Sequence, residues 1–189
     1  MGLVAVGLGP SDQQILRRLE PEILRTLRTA SSRIRRGQGR AECQQWFGDQ
    51  SQAWMASVGR DLNKMASILN TKRIEVRGTH WKKRSTRTVA AAWEPAQGWD
   101  RYTGMTKAQN QDFHISLDIA WNSRPLFRPG NNPGVSKFHT IVHELTHLVL
   151  NTDDVKPAYG VQNCLNKAST PARAKRNADN WAFFVDDFR

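Results

Sequence analysis

The stretch VSKFHTIVHELTHLVLNTDD occupies residues 135–154 and contains the motif HELTH at residues 143–147. Its apolar residues recur at helical spacing, and Ser136 stands where a helix N-cap is expected. Residues four positions apart project from the same face of a helix, one turn from each other. The stretch therefore predicts an amphipathic helix on which His143 and His147 can bind one metal ion.

Glu144 directly follows the first of these histidines, close enough to take a proton from a metal-bound water without itself binding the metal. Two histidines that hold zinc and a carboxylate that takes the proton are typical of zinc hydrolases. The chain has 5 histidines among 189 residues, so chance rarely produces this motif, and a buried imidazole without a partner is costly. The motif predicts one catalytic zinc ion with Glu144 as the general base.

A catalytic zinc needs a third protein ligand and an open position for water. The metzincin pattern would place Gly and His where this chain has Leu150 and Asp153, and no Met follows the motif, which excludes that class. No Glu occurs after Glu144, which excludes a thermolysin-like site. Aspartate is the acidic ligand type that remains downstream, and Asp153 and Asp154 are both candidates.

The residues after the motif resemble those of the aspzincins, the deuterolysin and peptidyl-Lys metalloendopeptidase group. That family pairs the histidine motif with Gly-Thr-x-Asp-x-x-Tyr-Gly, and here Thr152, Asp154 and Tyr159-Gly160 match it. The resemblance implies that Asp154 is the third zinc ligand, with Asp153 as its alternative, and that Tyr159 supports the oxyanion of the reaction.

This segment also departs from the family pattern. Asn151 stands where the family has Gly, which suggests a left-handed helix cap that Asn can still adopt. Asp154 and Tyr159 lie five positions apart rather than three, and Pro157 falls between them.

Two further stretches carry the resemblance, Asn177-Ala178-Asp179-Asn180-Trp181 and, as in bacterial members, Trp46-Phe47-Gly48, so that it covers roughly residues 40–189. In lysine-specific members the Asp of the first stretch binds the substrate ammonium together with an acid three residues later. Asp179 keeps the first acid and Ala182 replaces the second. The resemblance implies substrate binding by Asp179 and a weakened preference for Lys or Arg; a helix-capping role for Asp179 is the alternative.

The rest of the chain predicts an α+β zincin-like metallopeptidase with a helical N-terminal part, a small mostly antiparallel sheet, the motif helix and a C-terminal helix. We expect one domain over residues 1–189, made of a basic helical segment at 1–40 and a catalytic core at 41–189. Pro21 is expected to begin a second helix or kink the first. A sheet edge beside the motif helix is expected to bind substrate as an added strand. The predicted helices cover 11–36 and 50–69, and the predicted strands cover 73–77, 88–93 and 113–121.

The charge balance suggests a rival function. The chain has 28 Lys and Arg against 17 Asp and Glu, a net charge of +11, and such a surface attracts polyanions. A nucleic-acid-binding or polyanion-binding protein with a structural metal site is therefore the alternative. No nucleic-acid recognition motif occurs, so we expect a protein or peptide substrate and no specific nucleic acid.

The route out of the cell is a separate question. The opening MGLVAVGLGP has no basic start or cleavage site typical of a signal peptide, and no apolar run has the length of a membrane span. With the family resemblance, this favours a bacterial secreted or injected effector or toxin, with a secretion carrier or an immunity protein as a partner.

Three side chains outside the motif need separate interpretation. His139 lies four residues before His143, and three turns spread side chains over about 12 Å, so His139 is expected to line the cleft, contact a ligand or be solvated. Cys43 and Cys164 fit no metal pattern, and a disulfide between them and two buried thiols are both open.

Overall fold

The computed structural model describes residues 2–78, 90–93, 113–129 and 134–189. A 3-10 turn at Ile119–Trp121 follows the last strand. The other elements are, in chain order, β1 (Gly2–Val6), α1 (Pro10–Arg35), α2 (Arg40–Phe47), α3 (Gln52–Thr71), β2 (Arg73–Gly78), β3 (Ala90–Trp93), β4 (Phe113–Leu117), α4 (Lys137–Leu150), α5 (Val161–Lys167), α6 (Pro171–Arg176) and α7 (Ala178–Asp186).

The sheet has the strand order β1-β2-β4-β3. Its β1–β2 and β2–β4 pairs are parallel and its β3–β4 pair is antiparallel. The α+β class is as predicted, but the expectation of a mostly antiparallel sheet is wrong. A parallel pair needs a long crossover connection, and the helices α1 to α3 supply it between β1 and β2.

Helix α1 continues through Pro21, so the predicted start of a second helix at that residue is wrong. Proline removes one main-chain hydrogen bond from a helix interior. The apolar side chains on both sides of it, including Leu16, Leu19, Ile23 and Leu27, are at most 2% exposed. Burial of each such side chain stabilises the fold by roughly 1.5–3 kcal/mol, and together they outweigh the lost bond.

Strand β4 is shorter and more buried than its alternating pattern predicts. It ends at Leu117, and the chain then turns so that the Trp121 amide donates to the Asp118 carbonyl over 3.0 Å. The Trp121 indole also donates to Asp12 over 2.9 Å. Residues on both faces of β4 are buried, and the strand lies between β2 and β3 in the sheet.

Helix α4 carries the HELTH motif and is buried along most of its length, packed against α3, α7 and β3. The Ser136 hydroxyl accepts a hydrogen bond from the amide of His139 over 3.1 Å, which confirms the predicted N-cap. Asn151 follows the helix with φ of 53°, which confirms the predicted left-handed cap. Both ends of the motif helix are therefore fixed by local sequence.

The Trp46-Phe47-Gly48 stretch joins α2 to the C-terminal helix. The Trp46 indole donates to Asp187 over 2.6 Å. The Phe47 ring packs 4.9 Å from Trp181 and 5.0 Å from Phe184, measured between ring centroids. These contacts give the stretch a structural role in the core.

Cys43 and Cys164 are buried free thiols rather than a disulfide, and burial raises the pKa of each to about 12.

Among the described residues, no helix has the length and apolar character needed to cross a bilayer. Residues 88 and 89 of the predicted second strand lie outside the described ranges.

Candidate metal centre

Three side-chain atoms from α4 and the segment after it meet at one point. The Nε2 atoms of His143 and His147 lie 3.1 Å apart, one turn from each other on the helix. Oδ1 of Asp154 lies 3.2 Å from the first of these nitrogens and 3.6 Å from the second. The structure thus brings together the three residues that the sequence predicts as ligands.

These separations fit a zinc ion. Tetrahedral zinc with bonds of 2.0–2.1 Å to nitrogen and oxygen has ligand atoms about 3.3 Å from each other, close to the three distances observed. Two neutral imidazoles and one carboxylate suit zinc chemically and leave a fourth position for water or substrate. Asp154 is 41% exposed and His147 is 21% exposed at the side chain, so the open position faces solvent.

The far nitrogen of each histidine has a hydrogen-bond acceptor. Nδ1 of His143 lies 2.9 Å from Oδ1 of Asp179. Nδ1 of His147 lies 2.7 Å from the carbonyl oxygen of Thr152. When Nδ1 donates a proton to these acceptors, Nε2 keeps its lone pair for the metal, which is the arrangement that zinc-binding histidines require.

The contacts of Asp153 and Asp154 distinguish between these two candidates for the third ligand. The carboxylate of Asp153 forms an exposed ion pair with Arg176. The Asp153 main chain pairs with the strand-like backbone before α7, donating to the Arg176 carbonyl over 2.7 Å and accepting from Ala178 over 3.1 Å. These bonds turn Asp153 away from the histidines, and Asp154 takes the position beside them.

Tyr159 lies at the same centre despite its longer separation from Asp154 in the sequence. Its hydroxyl donates a hydrogen bond to Oδ2 of Asp154 over 2.6 Å. Its ring lies 6.0 Å from that of His143, between centroids, and the residue is 59% exposed. Tyr159 is therefore within reach of a substrate that approaches the open side of the ligands.

Electrostatics set the charge of the side chains here. Burial raises the pKa of Glu144 above its usual range, and the carboxylates of Asp154 and Asp179 add to that effect. Burial acts to lower the pKa of His143, but hydrogen bonds to the same two carboxylates outweigh it and raise the pKa to about 10 in the metal-free protein. The centre therefore holds negative charge that favours a cation, and Glu144 has a strengthened affinity for a proton.

Asp179 is 2% exposed and lies behind His143 rather than on an open surface. Its Oδ1 also lies 3.0 Å from Nε2 of His139, and its Oδ2 accepts a hydrogen bond from the amide of Gly160 over 2.8 Å. The His139, His143 and Asp179 atoms could also surround an ion. All three residues are buried. The distances between their atoms are those of the hydrogen bonds between Asp179 and the two histidines. His139 thus contacts Asp179, the hydrogen-bond partner of His143, rather than a proposed ligand, and at 1% exposure it is not solvated.

Two residues of the site make contacts that the sequence did not predict. Thr152 entered only as a match to the family pattern, yet its carbonyl orients His147. Asp179 was expected to bind substrate, yet its carboxylate contacts His143. Thirty-six positions separate those two residues, and no spacing in the sequence signals such a contact. His114, to which no role was assigned, is buried in β4 at 2% exposure.

Comparison with known proteins identifies a family and similar proteins. The family model described as lysine-specific metallo-endopeptidase matches residues 34–186. A zinc peptidase from Grifola frondosa has a similar structure, with a TM-score of 0.68 and 20% sequence identity over 95% of this chain and 97% of that chain. An extracellular protease of Aeromonas hydrophila is 47% identical over 55 residues, which are 28% of this chain and 15% of that protein. The chain thus matches only a small part of that relative's length.

Proposed function

The chain belongs to the lysine-specific metallo-endopeptidase family, and we propose that it hydrolyses internal peptide bonds at the centre formed by His143, His147, Asp154 and Glu144. The family match confirms the predicted class, a metalloendopeptidase, and the spacing of the three ligand atoms supports zinc as its metal. The observation that carries the proposed site is the convergence of three ligand atoms beside a buried glutamate on the same helix.

The proposed mechanism assigns one role to each side chain. Zinc, when bound, supplies a Lewis acid that makes water more acidic and polarises the scissile carbonyl. Glu144 accepts the proton from the attacking water and later delivers it to the leaving amine. The Tyr159 hydroxyl turns from Asp154 and donates its hydrogen bond to the carbonyl oxygen as negative charge develops there. Asp179 and Thr152 hold the two imidazole rings in the orientation that leaves Nε2 bare.

The substrate backbone is proposed to lie along β3. Among the described residues this strand is at the edge of the sheet, and it contacts the motif helix α4. An exposed strand edge offers main-chain donors and acceptors to an extended peptide. A peptide paired with β3 would lie along the strand that contacts the helix carrying His143 and His147.

We propose a graded preference for Lys or Arg in the substrate, weaker than that of a strictly lysine-specific enzyme. The family description supports the preference, and the anionic carboxylate of Asp179 near the centre favours a cationic side chain in the substrate. Asp179 already bonds His139, His143 and Gly160, and Ala182 is fully buried and adds no second acid. A peptide-library cleavage profile should show modest enrichment of Lys and Arg after the scissile bond. A profile without enrichment of Lys or Arg at that position would contradict the proposal.

We propose that the protein acts outside the cell that makes it. The support is the local identity to an extracellular protease. A role as a toxin or injected effector, and a secretion carrier or immunity protein as partner, stay predictions. Detection of the protein and its zinc-dependent activity in the medium of an intact producing culture tests the location; its retention in the cells would contradict it.

The test of the enzyme compares the wild type with Glu144→Gln on a denatured protein substrate, with zinc content measured in both. The amide cannot accept the proton, while the three ligands are unchanged, so zinc should remain and cleavage should stop. Glu22→Gln is the matched control, because Glu22 forms a surface ion pair with Arg25 on α1. Cleavage by Glu144→Gln at the wild-type rate, or absence of zinc from the wild type, would overturn the proposal.

A further inference from the structure

The segment between Asp154 and Gly160 belongs to no helix or strand, yet it carries a proposed ligand and the exposed Tyr159. Both histidine ligands are fixed by the backbone hydrogen bonds of α4. The position of Asp154 relative to them depends instead on whatever holds this segment. Placement errors of about 1 Å at a reacting centre can reduce rates by orders of magnitude, so the attachments of the segment matter for function.

Side chains from α5 to α7 provide those attachments. The most central is Asn177, which is fully buried between α6 and α7. Its Oδ1 accepts from the amide of Val155 over 3.0 Å, one residue after the ligand. Its Nδ2 donates to the carbonyl of Ala158 over 3.3 Å, one residue before Tyr159. One carboxamide therefore fixes the distance between the two ends of the loop.

A second buried side chain holds the middle of the same loop. The ammonium of Lys167, a residue that is 4% exposed, donates to the carbonyl of Pro157 and, over 3.4 Å, to that of Asn163. Burying a charged ammonium is costly unless its donors are satisfied. Its bond to the loop is a charge-assisted one, stronger than a bond between neutral groups.

The carboxamide of Asn177 is itself held in one orientation. Its Nδ2 also donates to Oδ1 of Asn180 over 2.8 Å. Asn180 in turn donates to the carbonyl of Trp46 over 2.6 Å and to that of Cys164 over 3.0 Å. The oxygen and nitrogen of Asn177 therefore cannot exchange places without breaking this network, so the acceptor stays on Val155 and the donor on Ala158.

We propose that Asn177 and Lys167 are positioning residues that set the placement of Asp154 and Tyr159 relative to the two histidines. This inference rests on the proposed function of the centre. Neither residue is a proposed zinc ligand, and both side chains bond the main chain of the loop. They act through the main chain of residues 155–158, and their loss should affect zinc affinity and turnover more than it affects global stability.

The test uses Asn177→Leu, which keeps the size of the side chain and removes both bonds, and Lys167→Met, which removes the bond to Pro157. Ser31→Ala is the matched control, because the Ser31 hydroxyl makes a buried hydrogen bond to the Gly59 carbonyl between α1 and α3, away from the centre. Each protein is assayed for zinc affinity by chelator competition, for melting temperature without zinc, and for kcat and KM on a quenched peptide.

Both loop variants should lose about tenfold or more in zinc affinity and about tenfold in kcat, with KM within threefold of the wild type. Ser31→Ala should lower the melting temperature without changing zinc affinity or kcat. If Asn177→Leu fails to fold, Lys167→Met decides alone. Zinc affinity and kcat within twofold of the wild type in the folded loop variants would overturn the inference. An inactive, zinc-free wild type would instead mean that the proposed function has failed.

Discussion

The hydroxyl of Tyr159 donates a 2.6 Å hydrogen bond to one oxygen of Asp154, whose other oxygen faces His143 and His147. The carboxylate thus joins the candidate zinc ligands to an exposed phenol. Burial and this bond raise the pKa of Tyr159 above its usual range, so the phenol remains a proton donor at neutral pH. Because the phenol has one proton, Tyr159 can donate to a substrate carbonyl only after it releases its hydrogen bond to Asp154.

Tyr159→Phe tests that role. The substitution keeps the ring and removes the hydroxyl, so kcat should fall by about 100-fold, the loss typical for one donor to a developing oxyanion. Zinc affinity should fall less than tenfold because all three ligands remain. Peptide cleavage assays at saturating zinc measure kcat, and chelator competition measures zinc affinity. If the kcat of Tyr159→Phe at saturating zinc equals that of the wild type, Tyr159 acts only by supporting Asp154.

The choice of third ligand is tested by the pair Asp154→Asn and Asp153→Asn. Loss of a ligand should weaken zinc binding by more than about 100-fold, beyond the 10–100-fold typical of residues that only contact a ligand. Asp153→Asn breaks an exposed ion pair with Arg176, worth about 0–1 kcal/mol, and should leave zinc affinity within threefold. Zinc titrations of both variants measure these losses. A larger loss of zinc affinity in Asp153→Asn than in Asp154→Asn would make Asp153 the ligand.

The parts of the site that were predictable depend on local geometry. Helical spacing alone places His143 and His147 on one face, and the motif defines Glu144 between them. Asp153 and Asp154 could not be separated by spacing, because the chain after α4 is irregular. The bonds that turn Asp153 outward come from Arg176 and the backbone before α7, and the sequence near the motif does not contain that information.

The same limit applies to the fold. Helices α1, α3 and α4 are long enough to show a clear apolar period, and the sequence predicts them. Helices α2, α5 and α6 have 8, 7 and 6 residues, which are too short to show a period or to be stable alone. Strand β1 was missed because it exists through its pairing with β2, about 70 positions further along the chain.

Gly48→Ala should destabilise the fold. Gly48 ends α2 with φ of 70°, and a Cβ there would lie 1.7 Å from the carbonyl oxygen of Ala168. The conformation alone costs an L-residue roughly 1–2 kcal/mol, and the clash with main chain adds to it. We expect a loss of at least about 2 kcal/mol of unfolding free energy, measured by urea denaturation.

Gly59→Ala is the control for that substitution. Gly59 lies inside α3, and a Cβ there would meet its nearest neighbour, a side-chain atom of Arg35, at 3.4 Å. Alanine should therefore be neutral or stabilise the helix by up to about 1 kcal/mol. Equal stability of the Gly48→Ala variant and the wild type would contradict the structural role of the Trp46-Phe47-Gly48 stretch.

The pH dependence of zinc binding follows from the charge of His143. Burial works against protonation, but the bonds to Asp154 and Asp179 raise the pKa of His143 from 6.5 to about 10 in the metal-free protein. The folded metal-free protein thus holds a proton more tightly than the unfolded chain does. That stabilisation is complete below pH 6.5 and is lost as pH rises towards 10. Zinc needs the neutral imidazole and must displace the proton.

Between pH 6.5 and 8.5 the melting temperature without zinc should therefore fall, while the increase caused by zinc should grow. Calorimetric zinc titrations in two buffers of different ionisation enthalpy should also detect proton release on binding. Asp179→Asn is the control, because it removes one of the carboxylates that raise the pKa of His143, so its metal-free melting temperature should change less over this range. A wild-type melting temperature that stays constant or rises with pH, without proton release, would show that His143 is already neutral before zinc binds.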